Sequence, residues 1–374
     1  MTINESATVS ASNYASQLKS KGIKVYNFGI GEPDFTTDDQ IIDFAFAMAK
    51  SGKTHYTPSA GIPELRKKIA EKVNKVNKIP VTYENILVTP TKFAINLGAM
   101  SLLNPGDEVI IPEPYYVSYP DIVRLAGGKP VFVKTNDDYS FDFDEMRKVI
   151  SPKTKAFIFS NPTNPTGRVY SEKELRSLSD MIIENNMYLF SDEIYEDLIY
   201  DGSLFSPASI PEMFERTVTV NGFSKSYAMT GWRIGYMIAS ESIIEGSNKI
   251  QEQTITCAPS ISQYGALKAL DDTVTPVKMR DEFKKRRDHA LKLLNETGKY
   301  KINVPQGAFY LFPEYEEDVD SQTFSDRLLK EMHVVVTPGI AFGSQGERHV
   351  RLSYATSIDE ITAGIELMNR FVND

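Results

Sequence analysis

The stretch "TVTVNGFSKSYAMTGWRIGYMIA", Thr217 to Ala239, decides the fold. Its two ends, "TVTV" and "RIGYMIA", are short β-branched and apolar runs, the kind of strand that lies buried on both faces of a sheet. Between them runs a polar loop that holds Lys225 and, eight positions on, Arg233. A lysine at the end of a buried strand reads as a solvated charge, a phosphate clamp or a covalent anchor. The loop alone leaves all three open.

The same texture recurs on the N-terminal side of this loop. "NILVTP" (85–90) leads into the apolar helical run "TKFAINLGAMSLLNPG", closed by Asn104, Pro105 and Gly106. "DEVIIPEP", "KPVFVKT", "KAFIFSNPTNPTG" (155–167) and "MYLFSDEIY" read as further strands, and a capping box of Ser171 and Glu174 opens the helix "SEKELRSLSDMIIENN". Short apolar strands alternating with amphipathic helices predict an α/β fold with a mainly parallel sheet between helices. In such sheets the ligand crevice lies outside the carboxyl ends of the strands. Asn164, Asp192 and Lys225 each fall at or just after such an end. Taken singly, each residue reads as surface loop or turn chemistry, and Asp192 as a helix cap.

After about Pro276 the pattern changes. A long charged helix, "VKMRDEFKKRRDHALKLLNETG", stops at Gly298, and "GAFYLFPEY", "VVVTPGIAF", "HVRLSYA" and a capped final helix follow. That is the pattern of a smaller α+β domain. A helix around 11–21 has little sheet of its own to pack on and is assigned to the same domain. The division expected is 1–36 and 276–374 for the small domain, drawn from both chain ends, and 37–275 for the large one.

The net charge of −9 over 374 residues argues against nucleic acid as a partner, because phosphate backbones require clustered Lys and Arg. The basic cluster "KKRRD" (284–288) reads as the solvated face of a mixed-charge helix. Cys257 is the only cysteine, so no intrachain disulfide is needed. His55, His289, His333 and His349 lack metal-ligand spacing, and no metal is expected. With no apolar signal core and no run of membrane length, the expected location is the cytoplasm, with no membrane partner.

An amine suits a Schiff base with a carbonyl compound, a guanidinium suits a phosphate, and a buried carboxylate suits a cationic ring nitrogen. Lys225, Arg233 and Asp192 together therefore describe pyridoxal 5′-phosphate. Nucleotide binding is the rival, but neither GxGxxG nor GxxxxGK[ST] occurs, and "GIGEPDF" lacks the glycine spacing.

The segments "SATVSASNYASQLKSKGIKVYNFGIGEPDF", "HYTPSAGIPELR", "PYYVSYP", "NPTNPTG", "SDEIYE", "FSKSYAMTGWRIGY", "GAFYLF" and "VRLSYA" occur in one order along nearly the whole chain. In these the chain resembles the class I/II aminotransferases of fold type I, and within them the bacterial and archaeal aspartate aminotransferase branch. The resemblance implies a seven-stranded large domain, and it makes Lys225 the covalent anchor. It pairs Asp192 with the pyridine nitrogen, sets Tyr195 and Asn164 at the phenolic oxygen, and stacks Tyr116 on the ring. Arg233 would hold the phosphate with Thr91, Lys92 and the start of their helix. Tyr56 would serve the neighbouring subunit's phosphate site, which implies a homodimer. Arg351, with Asn164 and the backbone of Gly31, would clamp the substrate α-carboxylate, and Ser6, Thr8 and Lys92 would meet a distal carboxylate.

Two departures from the family concern the phosphate. Pro90, which has no N–H, stands where a donor is common, and Gly222 stands where many members carry a serine, a role Ser224 is expected to take. The function implied is transfer of an amino group between an L-amino acid and a 2-oxo acid, with aspartate and 2-oxoglutarate as the first choice. The alternatives are an aromatic or broad aminotransferase, a lyase or synthase on the same scaffold, and an amino-acid-sensing regulator. The last would need a DNA-binding module, and none is expected, because the aminotransferase pattern begins within the first ten residues.

Overall fold

The computed structural model describes Ser20 and residues 22–373. Ser6, Thr8 and nearly all of the helix expected over 11–21 lie outside the described residues. Strand β1 (Tyr26–Asn27) belongs to a small two-stranded pairing. The next seven strands, β2 (Ile86–Thr89), β3 (Glu108–Glu113), β4 (Lys129–Lys134), β5 (Thr154–Ser160), β6 (Tyr188–Asp192), β7 (Thr217–Gly222) and β8 (Gly235–Ile238), form one sheet in the order β2-β8-β7-β6-β5-β3-β4.

All but β8 run the same way. Between β2 and β7 every connection carries at least one helix, as parallel neighbours require. The chain then turns back through the loop 223–234, and β8 pairs antiparallel with both β7 and β2. β2, β7 and β8 are buried along their whole length. The edge strand β4 begins and ends with an exposed lysine, Lys129 and Lys134, charges that discourage pairing with another chain.

Side chains alternate across the sheet. Ile158, Phe190, Val218, Val220 and Met237 pack on the helix Thr91–Leu102 on one face, while Phe157, Phe159 and Leu189 pack on the helix Glu172–Glu184 on the other. The second helix opens with the anticipated capping box, Ser171 accepting from the Glu174 N–H and Glu174 accepting from Ser171.

Beyond the long helix Thr275–Asn295 come β9 (Tyr300–Lys301), β10 (Tyr310–Leu311), β11 (Glu314–Tyr315), β12 (Val334–Val335), β13 (Thr337–Pro338) and β14 (Val350–Ser353). β14 lies between β10 and β13, and β12 pairs in parallel with β1. Phe283, Phe309, Phe324, Leu328, Ile361 and Met368 share one core that joins these strands to the long and final helices.

The cluster "KKRRD" is only in part a solvated face: Lys285 and Asp288 are exposed. Arg286 and Arg287 are buried: Arg286 pairs with Asp34 at 2.7 Å and Glu282 at 3.0 Å, and Arg287 with Asp201 at 2.6 Å and the Pro305 carbonyl at 2.8 Å. Each guanidinium finds acceptors from distant segments, which a reading of the helix alone cannot supply. Among the described residues no helix is long and apolar enough to cross a membrane, and no cluster of His, Cys, Asp and Glu has the arrangement of a metal site.

Candidate active site

The carboxyl ends of β5, β6 and β7 open into a cavity of about 560 Å³, walled by Ser160, Asn164, Asp192, Tyr195, Ser224, Lys225 and Arg233 among others. Thr91, Lys92, Tyr116, Gly31 and Arg351 line it as well. The structure therefore brings together all the anticipated site residues within the described region except Tyr56, which is 87% exposed and outside the cavity wall.

Lys225 follows the end of β7, and its Nζ donates to the Gly31 carbonyl at 2.6 Å. Among the described residues no carboxylate bonds to it. Burial is the main influence that lowers this amine to about 8, joined by the positive charges of Arg351 and Arg233 and opposed by Glu32 and Asp192. An amine so placed is a nucleophile in useful amount at neutral pH.

Asp192 ends β6. No α-helix begins there, so the cap reading fails, although Oδ1 accepts from the Ile194 N–H at 3.3 Å. The other oxygen accepts from the Tyr119 hydroxyl at 3.0 Å. Burial raises this carboxyl to about 6, against the lowering effects of Tyr119, Ile194 and Lys225. A buried carboxylate without an ion-pair partner among the described residues favours a cation in the cavity. Three residues on, the Tyr195 hydroxyl meets that of Tyr310 at 2.9 Å, and burial pushes its ionisation well up.

The helix Thr91–Leu102 points its first turn at the cavity. Pro90 precedes it and no side chain caps it, so first-turn N–H groups remain for an anion. The absence of a serine at Gly222 has a steric reason: a Cβ there would lie 2.5 Å from Thr91 Oγ1 and 2.9 Å from the Gly235 Cα. Bare glycine lets the helix start close on the ends of β7 and β8. Arg233 sits beside it at φ 55°, a strained left-handed conformation for a side-chain-bearing residue, with Nη1 on the Thr230 carbonyl at 2.8 Å.

At the opposite wall Arg351, on β14, is buried. It donates to Asn164 Oδ1 at 3.0 Å, the Gly29 carbonyl at 2.8 Å and Thr337 Oγ1 at 3.3 Å, and stacks over Tyr310 at 4.5 Å. Among the described residues its Nε has no acceptor, an orphan donor that an incoming carboxylate can satisfy. Lys92 is exposed, with its Nζ 5.5 Å from the Tyr116 ring centroid.

Three residues of this site carried no signal strong enough to be singled out. Tyr119 lies in "PYYVSYP" and Tyr310 in "GAFYLF", but nothing local shows that their hydroxyls reach Asp192 and Tyr195. The Gly29 carbonyl under Arg351 belongs to backbone, which no residue type announces.

These groups suit pyridoxal 5′-phosphate: an amine for its aldehyde, a buried carboxylate for its ring nitrogen, an uncapped helix start and an arginine for its phosphate. The profile of the family Aminotransferase class I and II matches residues 23–367. An aspartate aminotransferase of Pyrococcus abyssi is 43% identical over 359 residues, covering 94% of this chain and 92% of its own. Aromatic-amino-acid aminotransferase 2 of Thermococcus litoralis is 42% identical over the same length and shares of both chains. The solved structure of aspartate aminotransferase from Thermus thermophilus with maleate superposes with a TM-score of 0.94 at 39% identity, over 98% of this chain and 97% of that one. The chain belongs to the class I and II aminotransferases and is a pyridoxal-phosphate-dependent transaminase.

Proposed function

We propose that this transaminase prefers dicarboxylic substrates, with aspartate or glutamate as donor and 2-oxoglutarate or oxaloacetate as acceptor. The observation that carries the site assignment is the wall shared by a lysine brought down to about 8, a carboxyl brought up to about 6 and a buried arginine with an orphan donor.

When bound, the cofactor ring supplies the electron sink that makes the substrate's Cα proton acidic. In this reading Lys225 anchors the cofactor and its Nζ afterwards takes and returns that proton. Asp192 holds a positive charge at the ring nitrogen, supported by the Tyr119 hydroxyl. Tyr195 and Asn164 bond the phenolic oxygen, and Tyr116 covers the ring. Arg233, Ser224 and the backbone N–H groups at Thr91 and Lys92 would take the phosphate end. Arg351 fixes the substrate α-carboxylate with Asn164 and the backbone of Gly31, which sets the Cα–H bond for transfer.

The dicarboxylate preference is supported by Lys92, a cation at a helix start beside the cavity, and by the names of the Pyrococcus and Thermus relatives. Ser6 and Thr8 are assigned to the same distal carboxylate from the sequence pattern. The second reading, an aromatic donor, is favoured by the Thermococcus relative and by the apolar walls Ile30, Ile95, Tyr116 and Tyr310. We further propose a homodimer in the cytoplasm, with the small domain built from 1–36 and 276–374 around the large domain 37–275. In it the exposed Tyr56 reaches the neighbouring subunit's phosphate site.

An amino-donor screen tests the substrate claim. The holoenzyme is mixed with single amino acids without an acceptor, and the colour of the bound cofactor is followed. Aspartate and glutamate should bleach it at the lowest concentrations. Phenylalanine or tyrosine ahead of both would replace the first reading by the second.

A further inference from the structure

We propose that Glu193 is a positioning residue for the reaction: through a buried cluster with Lys72, Asn77 and Glu196 it fixes the turn that carries Asp192 and Tyr195 into the cavity. The segment 191–198 divides its side chains between two sides. Asp192, Ile194 and Tyr195 line the cavity, whereas Glu193 is fully buried and Glu196 nearly so, and neither reaches that wall.

Behind the turn the contacts are dense. Lys72 forms an ion pair with Glu196 and donates to Asn77 Oδ1 at 3.0 Å. Asn77 Nδ2 donates to Glu196 Oε2 at 2.7 Å and lies 3.5 Å from Glu193 Oε2. The hydroxyls of Ser191 and Ser206 donate to Glu193 Oε1 at 2.9 Å and 2.7 Å. Asn77 reaches inward because the helix Pro63–Lys72 continues into one π turn, Val73–Asn77, stopped by Lys78 at φ 58°. Such a turn re-aims a side chain that α geometry would send elsewhere. The turn itself is pinned by the Glu193 N–H on the Val220 carbonyl at 2.8 Å and the Leu198 N–H on the Tyr195 carbonyl at 2.8 Å.

The charges around Glu193 do not balance if every acid is ionised. Its own turn brings Glu196 and Asp197, and the facing elements bring Lys72, with Tyr236 of β8 and Tyr227 near it, and Arg280 of the long helix, which acts on Asp197. Glu196 takes the lysine. Burial first, and the Glu196 charge second, push the Glu193 carboxyl up to about 8 despite its two serine donors. At neutral pH the group is therefore an uncharged acid. It keeps a second negative charge away from Asp192, whose own charge is wanted by the ring nitrogen. Above about pH 8 ionisation sets Glu193 against Glu196 in a low-dielectric site and loosens the turn.

The inference rests on the proposed roles of Asp192 and Tyr195, and the comparison separates it from them. The wild type, Glu193→Gln and Ser206→Ala are purified as holoenzymes, and kcat, KM and the absorption of bound cofactor are followed from about pH 6 to about pH 10. In the wild type, kcat should fall through about pH 8 with little change in KM. Glu193→Gln, which imitates the protonated acid, should keep neutral-pH kcat within about twofold and lose that alkaline limb. Ser206→Ala removes one donor to the carboxylate and should move the limb to higher pH.

Melting of the cofactor-free proteins gives a readout apart from catalysis. Native Glu193 keeps a proton that the unfolded side chain has released, so wild-type stability falls between the ordinary value of 4.5 and about 8. The stability of Glu193→Gln relative to wild type should rise across that window and level off above it. An alkaline limb unchanged in both variants would belong to Lys225 or another group and would overturn the inference. A melting difference that is flat across the window would overturn it equally. Near-normal turnover in Asp192→Asn would instead sink the role of Asp192 itself.

Discussion

Arg351 Nη1 donates to Asn164 Oδ1 at 3.0 Å, joining two residues 187 positions apart in the chain. One comes from β14 and the other from the loop that leaves β5, so the pair couples the C-terminal strands to the mouth of the large sheet. Asn164 holds Nη1 and the Gly29 carbonyl Nη2, so the planar group is fixed at both terminal nitrogens in the cavity wall.

Arg351→Lys should therefore damage every amino donor alike. A lysine keeps the charge but loses the fork and the contacts that orient it. We expect kcat/KM to fall on the order of 10- to 100-fold, the equivalent of about 1.5–3 kcal/mol for a charged hydrogen bond. Steady-state kinetics with aspartate and phenylalanine check this, and a loss confined to one of them would contradict the assignment.

Asp192→Asn should separate stability from turnover. Burial raises the native carboxyl from 3.8 to about 6, so the native state retains a proton through a window in which the unfolded state has lost it. Wild-type stability without cofactor accordingly falls as pH rises from about 4 to about 6 and stays lowered above that. The asparagine variant escapes this loss and should be more stable at neutral pH by up to about 3 kcal/mol, while turnover drops by about 100-fold or more. Urea melts of both cofactor-free proteins at several pH values provide the measurement.

Lys92→Ala should raise KM for aspartate by about tenfold and leave an aromatic donor much less affected, because only a dicarboxylate loses a partner charge. Equal losses for both donors would assign Lys92 to the cofactor phosphate.

Mixing Tyr56→Phe chains with Lys225→Ala chains should restore activity above either parent. If Tyr56 serves the neighbouring site, the hybrid holds one doubly altered and one intact site. Hybrids that form and remain inactive would place Tyr56 in its own subunit's site.

The parallel sheet was legible because its strands, the edge strand β4 apart, are short and largely buried apolar runs, and Asn164, Asp192 and Lys225 were legible because they follow such runs. The reversal of β8 was not: "RIGYMIA" has the same texture as its parallel neighbours, and direction is set by where the chain returns. Arg286 and Arg287 looked solvated because their acceptors, Asp34 and Asp201, lie far away in sequence. Tyr119 was hidden for the same reason, being 73 positions from the carboxylate it serves. The π turn at Val73–Asn77 left no mark, since its residues suit an α-helix as well.

The loop 223–234 leaves the sheet at β7 and re-enters it at β8, so Lys225 and Arg233 ride on one span whose two ends are both held. The spacing of the proposed anchor and the proposed anion contact is thus a gauge set by the sheet at both ends of the span. Inserting or deleting a residue in that span would break both fittings at once, and single substitutions could not repair it. Arg351 sits on a different stretch of chain and is free of that gauge. Substitutions around Arg351 therefore leave that span untouched.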